Sequence, residues 1–248
     1  MNITTPPIPK TTVSLLTRRS FIALAGAGGL AACARKPSAP PTRAAPPPAP
    51  VYPPLPAFYG PITTEPWPIP GLPDGIIAPR LWRQEVINPF PERARGTIVI
   101  DPDAALLHFV QGPDTAMRYG VSVGAAGFAW EGAARLQFCR EWPRWKVPAT
   151  MIARQPKLEP YSVANGGMDP GPDNPMGARA LYLFQNGKDT LYRVHGSASP
   201  QELGKAVSSG CIRMLNHDVI DLHKRAVHGS SVIVLPSAKP IKTDREAA

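Results

Sequence analysis

The sequence predicts a mainly β domain, a sandwich or barrel with one or two short helices, carried behind a long N-terminal region that builds no core of its own. Three observations support this. Short runs rich in Val, Ile, Leu, Tyr and Phe recur between positions 97 and 235, with Gly and Pro clusters separating them at every step. Only 218–225 has good helical character. Finally, 18 of the 33 prolines fall in the 55 residues 37–91, where almost no periodic apolar pattern survives. A chain of 248 residues allows one domain of ordinary size with tails, or two small ones.

The N-terminal region reads as an address. Thr17-Arg18-Arg19-Ser20-Phe21-Ile22 sets two arginines directly before a Gly/Ala-rich apolar stretch, the layout of a twin-arginine export signal, with an ordinary secretory signal as the alternative. The apolar stretch, residues 21–32, falls short of the ~18 residues that a membrane-spanning helix needs, which excludes a polytopic membrane protein. Leu30-Ala31-Ala32-Cys33 then matches a bacterial lipoprotein signal, in which Cys33 is acylated and becomes the new N-terminus. The competing reading is a small-residue cleavage site around Ala32 and Ala34; the Leu three positions before the cysteine fits only the lipoprotein motif. Residues 1–32 are thus expected to be a signal, and the mature chain to lie in the periplasm or cell envelope, tethered to a membrane by a lipid on Cys33.

Residues 33–95 follow as a spacer and arm. The first half, to about Pro56, should be stiff and extended with polyproline character. From about Phe58 onward Trp67, Leu81, Trp82 and Val86 offer apolar anchors to the next domain, with 81–86 as an ordered extended arm. Residues 1–64 contain no acid, so the formal charge of +9 is concentrated there; beyond residue 32 the balance is 24 basic to 18 acidic. With no interleaving of aromatics and cations and no long basic helix, nucleic acid is not expected as a partner. The mild positive sign suits an anionic polymer or a membrane surface.

The globular part is expected at 96–235, with a tail at 236–248. Runs at 97–100 and 105–110 flank Asp101-Pro102-Asp103-Ala104 and read as a hairpin; further strands are expected at 116–123, 133–140, 181–184, 190–194 and 231–235. There is no internal repeat. Three cysteines and no Cys-x-x-Cys pair exclude a disulfide scaffold and a zinc ribbon, so cysteine chemistry here would be that of a single thiol.

Two segments carry candidate chemistry: Tyr192-Arg193-Val194-His195-Gly196-Ser197 and, beginning sixteen residues on, Ser208-Ser209-Gly210-Cys211-Ile212-Arg213-Met214. A thiolate is the reactive form of cysteine, and a neighbouring imidazole can take the proton and hold a nucleophile ready. Gly210 before the cysteine allows a tight turn that aims successive N–H groups at one point, as an oxyanion hole requires. The competing readings are a buried packing cysteine, a satisfied histidine, or a metal site among His195, Cys211, His217, His223 and His228. The spacings match no metal motif, and His217 and His223 fall on different faces of a helix, so no metal is expected.

His195-Gly196, then Gly204, then Ser208-x-Gly210-Cys211-Ile212-Arg213-Met214 resembles the signature of the L,D-transpeptidase (YkuD-like) catalytic domain. The resemblance extends to Gly96-Thr97-Ile98-Val99-Ile100-Asp101 as the opening strand, Glu141-Trp142-Pro143-Arg144-Trp145 as the central segment, and Asn174-Pro175-Met176-Gly177 as a turn. Asn216 and Asp218 ahead of a helix and a closing strand at 232–235 complete it. Two departures are Ser197-Ala198 where many members have Thr-Asn, and Ser209 where many have His.

The resemblance implies an L,D-transpeptidase-type β-sandwich or barrel that acts, without cofactor or metal, as a cysteine acyltransferase on peptidoglycan stem peptides. Cys211 would attack the third residue of a donor tetrapeptide, and His195 would serve as base and then acid, oriented by the backbone carbonyl of Gly196. N–H groups of Ser209, Gly210 and Cys211 would hold the oxyanion; Arg213, Ser208 and Ser197 would meet the substrate. For Arg213 a surface salt bridge is the alternative. An acceptor amine would close a 3-3 cross-link. If water resolves the acyl-enzyme, the result is an L,D-carboxypeptidase or cross-link hydrolase, and a non-catalytic wall-binding lipoprotein is the reading from another class.

Overall fold

The structure, a computed structural model, describes residues 52–124, 131–197, 199–207 and 211–238. The export and lipidation motifs, Cys33 included, lie outside the described residues, as do Ala198, Ser208, Ser209 and Gly210.

The described residues form one mainly β unit with eleven strands in a single sheet: β1 (Gln84–Ile87), β2 (Ile98–Asp101), β3 (Leu106–Val110), β4 (Thr115–Gly120), β5 (Ser122–Gly124), β6 (Gly132–Glu141), β7 (Arg179–Gln185), β8 (Lys188–Ser197), β9 (Ala206–Val207), β10 (Ile212–Leu215) and β11 (Ser231–Val234). Two short helices accompany them, α1 (Ala149–Arg154) and α2 (Asn216–Arg225). The strand order is β1-β4-β3-β2-β11-β6-β7-β8-β10-β5-β9. β4 and β5 are separated only by Val121 yet lie second and tenth in that order, so the sheet must fold over on itself. The 116–123 run is therefore two strands: Val121 leaves the ladder, donating to Ala105 O and accepting from Gly204 N.

The core lies inside this curl. β2 is buried at Ile98, Val99 and Ile100 in succession, as expected of a strand covered on both faces, whereas β6 buries Ala134 and Leu136 and exposes Arg135 between them. The hairpin at 101–104 is present, its turn held by Asp101 Oδ1 accepting from Ala104 N at 2.9 Å. Helix α2 closes the core with Val219 and Leu222. It starts two residues earlier than the sequence suggests, so Asn216 and Asp218 form its first turn instead of preceding it.

The arm is folded into the same unit. Tyr59, Ile77 and Leu81 are buried with Leu203 and Leu215, and the stretch expected as an extended arm ends in β1, which pairs with β4. Polar contacts pin the arm in two places. Tyr59 donates from its hydroxyl to buried Asp218 (3.1 Å) and accepts from Arg83 N (2.8 Å), while His217 Nε2 donates to Gly60 O (2.9 Å). Glu65 accepts two hydrogen bonds from Arg179 (2.7 and 2.8 Å) and one from Trp142 Nε1 (2.8 Å).

Candidate active site

His195 and Cys211 are brought together by two neighbouring parallel strands. β10 runs beside β8 with Ile212 opposite Val194 and Arg213 opposite His195. Val194 and Ile212 face the core. Because side chains alternate along a strand, His195, Arg213 and Cys211, which directly precedes β10, share the opposite face. All three line one cavity of about 560 Å³. Its far wall is Trp145, Met151, Arg154, Gln155 and Leu158, contributed by α1 and its flanks, with Pro175 and Met176 closing the side.

The imidazole is buried, and its Nδ1 donates to Gly196 O at 2.7 Å. That bond fixes the proton on Nδ1 and leaves Nε2 as the acceptor. Burial pushes the His195 pKa down to about 4; the carbonyls of Gly196 and Met176 oppose that shift, and the charges of Arg213 and Arg193 reinforce it. For Cys211 burial raises the thiol pKa, against the Arg193 backbone N–H and the Arg193 and Arg213 guanidiniums. Both directions favour the uncharged pair.

The two glycines packed near the imidazole are there for want of space. A Cβ on Gly177, which sits at φ +65°, would lie 2.8 Å from Gly196 Cα, and a Cβ on Gly196 would collide with Asn216 Oδ1. The turn before them is built by buried Asn174, whose Nδ2 donates to Pro143 O and Asp169 O and whose Oδ1 accepts from Met176 N.

Arg213 lines the cavity and pairs with Glu202 at 2.8 Å, so the salt bridge is present. The backbone of Ser197 ends β8 opposite Leu215. Cys139 is the other free cysteine among the described residues, and it packs against the core with its pKa raised to about 11 by burial. Cys139, Leu181, Val194 and Ile212 stand in one row across four strands. Three strand spacings put Cys139 roughly 14 Å from Ile212, beyond the ~7 Å reach of a disulfide to Cys211 next door. His217 is engaged by the arm, and His228 Nδ1 is 2.6 Å from Gln137 O. Among the described residues no group of His, Cys, Asp and Glu is placed to hold a metal ion.

The far wall of the cavity was not foreseen from the sequence. Helix α1 has six residues, too few to show a period, and only Pro148 and Pro156 on either side mark it. It contributes Arg154, a second cation in the cavity.

Comparison with known proteins places these features in a family. The family model for the L,D-transpeptidase catalytic domain (YkuD) matches residues 95–234. A Bacillus licheniformis protein named L,D-transpeptidase YkuD is 31% identical over 127 residues, 51% of this chain and 71% of its own. Escherichia coli YbiS, also named as an L,D-transpeptidase, is 27% identical over 156 residues, 61% of this chain and 47% of its own. The chain spans about half the length of several such relatives, 51% for Bacillus subtilis YqjB and 45% for a Fuscovulum blasticum protein. Among solved structures, a Brucella melitensis chain titled a carnitine operon oxidoreductase is 44% identical, covering 64% of this chain and 96% of its own, with a TM-score of 0.45. An L,D-transpeptidase from Mycobacterium smegmatis is 15% identical, covering 57% and 59%, with a TM-score of 0.41. With the family model matched across β2 to β11, a span that includes both His195 and Cys211, this chain belongs to the L,D-transpeptidase catalytic-domain family.

Proposed function

We propose that this chain is a peptidoglycan L,D-transpeptidase, a cysteine acyltransferase that joins stem peptides through 3-3 cross-links. The observation that supports it most is a buried imidazole, its Nδ1 held by the next residue's carbonyl, in one cavity with a half-buried thiol directly before the neighbouring parallel strand. In the first half-reaction Cys211 Sγ bonds to the carbonyl carbon of the donor's third residue while its proton passes to His195 Nε2. The tetrahedral oxyanion is held by the N–H groups of Ser209, Gly210 and Cys211. The C–N bond to the terminal D-Ala then breaks, and His195 returns the proton to the leaving amine. In the second half-reaction the acceptor amine attacks the thioester, His195 takes its proton, and the thiol is regenerated. Arg154 and Arg213 make the cavity suited to a donor bearing carboxylates, and Ser208 and Ser197 flank it in sequence.

The test is mass spectrometry of purified disaccharide-tetrapeptides after incubation with the mature chain. The expected product is a dimer lighter by one D-Ala, absent with Cys211→Ala. Tripeptide alone would assign water as the acceptor and make the protein a carboxypeptidase; no product from the intact dyad would leave a wall-binding role.

The same reading extends to place. Export by the twin-arginine segment and acylation of Cys33 would tether the domain to a membrane in the periplasm, and a stiff spacer of roughly 20 residues at about 3.1 Å each would reach about 60 Å from it. Cys33→Ser should release the protein from the membrane fraction. A mature chain that begins, unmodified, at Arg35 would overturn the tether.

A further inference from the structure

We propose that Asn216 is a positioning residue for the catalytic base, tying the strand that carries the nucleophile to the carbonyl that sets the tautomer of His195. This rests on the dyad reading above. Asn216 is the first residue of α2 and directly follows β10, five positions after Cys211. Its Oδ1 accepts from Ala178 N at 2.9 Å. The same oxygen occupies the space that a Cβ on Gly196 would need, and would lie 2.5 Å from a Cβ on Gly177. One side-chain oxygen is therefore packed against the peptide after His195 and against the turn that ends in Ala178.

Those two neighbours are the backbone surroundings of the imidazole. Gly196 supplies the carbonyl that receives the Nδ1 proton, and Met176, one residue before Gly177, supplies the other carbonyl acting on the ring. β7 continues from Ala178 and pairs Ala180 with His195, so the turn and the base share a ladder as well. Without the Asn216 amide, Ala178 N loses its acceptor and the Gly177–Gly196 crossing loses the atom it closes around. The Gly196 peptide, still paired with Met214, then loses the packing that fixes its tilt, Nδ1–H has a less constrained partner, and the ring divides between its two neutral forms. Only the Nδ1–H form leaves Nε2 able to take the thiol proton.

Asn216→Ala and Asn216→Asp, made in the mature chain, test this with two readouts. The ring 15N shifts of His195 report its tautomer, and intact-mass kinetics with a carbapenem report acylation of Cys211. Asn216→Ala should turn a single Nδ1–H tautomer into a mixture and slow acylation at least tenfold at saturating probe, with half-saturation changed less than twofold. Asn216→Asp keeps the acceptor for Ala178 N and should recover the single tautomer and most of the rate. An Asn216→Ala ring that stays wholly in the Nδ1–H form overturns the proposal, as does a rate loss that Asn216→Asp fails to recover although it melts with the wild type. The tautomer reading stands even if the wild type takes no carbapenem at Cys211, a result that would count against the dyad and not against Asn216.

Discussion

Acidification should remove stability and activity from this protein through His195, and in a window set by its burial. The ring is 4% exposed, and its pKa is pushed from the ordinary 6.5 to about 4, first by burial. In the unfolded chain the imidazole takes its proton as pH falls through 6.5; in the fold it stays neutral until about 4. The unfolded state thus binds the extra proton throughout that interval, and stability falls with falling pH across it. At about 1.4 kcal/mol per pKa unit, the interval corresponds to roughly 3 kcal/mol. Urea titrations at pH 7, 6, 5 and 4 on the wild type and on His195→Gln measure it as the difference between two slopes. Subtraction is needed because His108, buried and lowered to about 4, contributes to both proteins. The acylation rate of Cys211 should in turn hold between pH 7 and pH 5 and drop about tenfold per pH unit below about 4. A half-maximal rate near pH 6.5, or equal stability slopes in the two proteins, would show that the imidazole is solvated or pre-paired with a thiolate, and the neutral-dyad mechanism would fall.

Three further outcomes are expected. Cys211→Ala should lose the carbapenem adduct seen by intact mass, whereas Cys139→Ser should keep it, because Cys139 faces the core with its pKa raised to about 11; labelling at Cys139 would refute the assignment. Glu65→Gln removes the charge that answers Arg179 across a pair only 7% and 11% exposed. It should cost about 3 kcal/mol, read as a melting temperature roughly 6 to 12 °C lower, and a shift under 2 °C would mean that the arm is only loosely docked. Arg154→Ala should raise KM about tenfold for donors with free carboxylates and leave kcat and amidated donors unchanged; equal effects on both donors would remove it from substrate recognition.

Much of the fold was legible because the curled sheet leaves a plain trace in sequence. The hairpin around 101–104, the strand at 133–140 and the helix of Val219 and Leu222 each follow from local pattern, and each is present. The meeting of His195 and Cys211 in one cavity was legible from residue type and spacing, since a glycine directly before a cysteine and a His-Gly pair beginning sixteen residues earlier suggest chemistry even without their pairing. What stayed hidden depends on distant partners. Val121 reads as mid-strand until Ala105 and Gly204 take its hydrogen bonds, and α1 is too short for its period to appear. Nothing local in Asn216 announces contact with Gly177 and Gly196; only the parallel pairing of β8 and β10 brings them together.

The arm bears on the order in which this chain can fold. Its contacts from Tyr59 to Asp218 and from Gly60 to His217 close loops of 159 and 157 residues, whereas β7 and β8 form a hairpin and β10 follows after a short crossover. Loop-closure entropy favours the near contacts, so the half that holds the dyad should form first from neighbours in sequence. The arm is made first and seated last. Until β10 and α2 leave the ribosome, Tyr59 has no carboxylate to meet and Ile77 and Leu81 lack the Leu215 they pack with, so a chain stopped short of Leu215 would display that apolar strip to any chaperone or neighbouring chain.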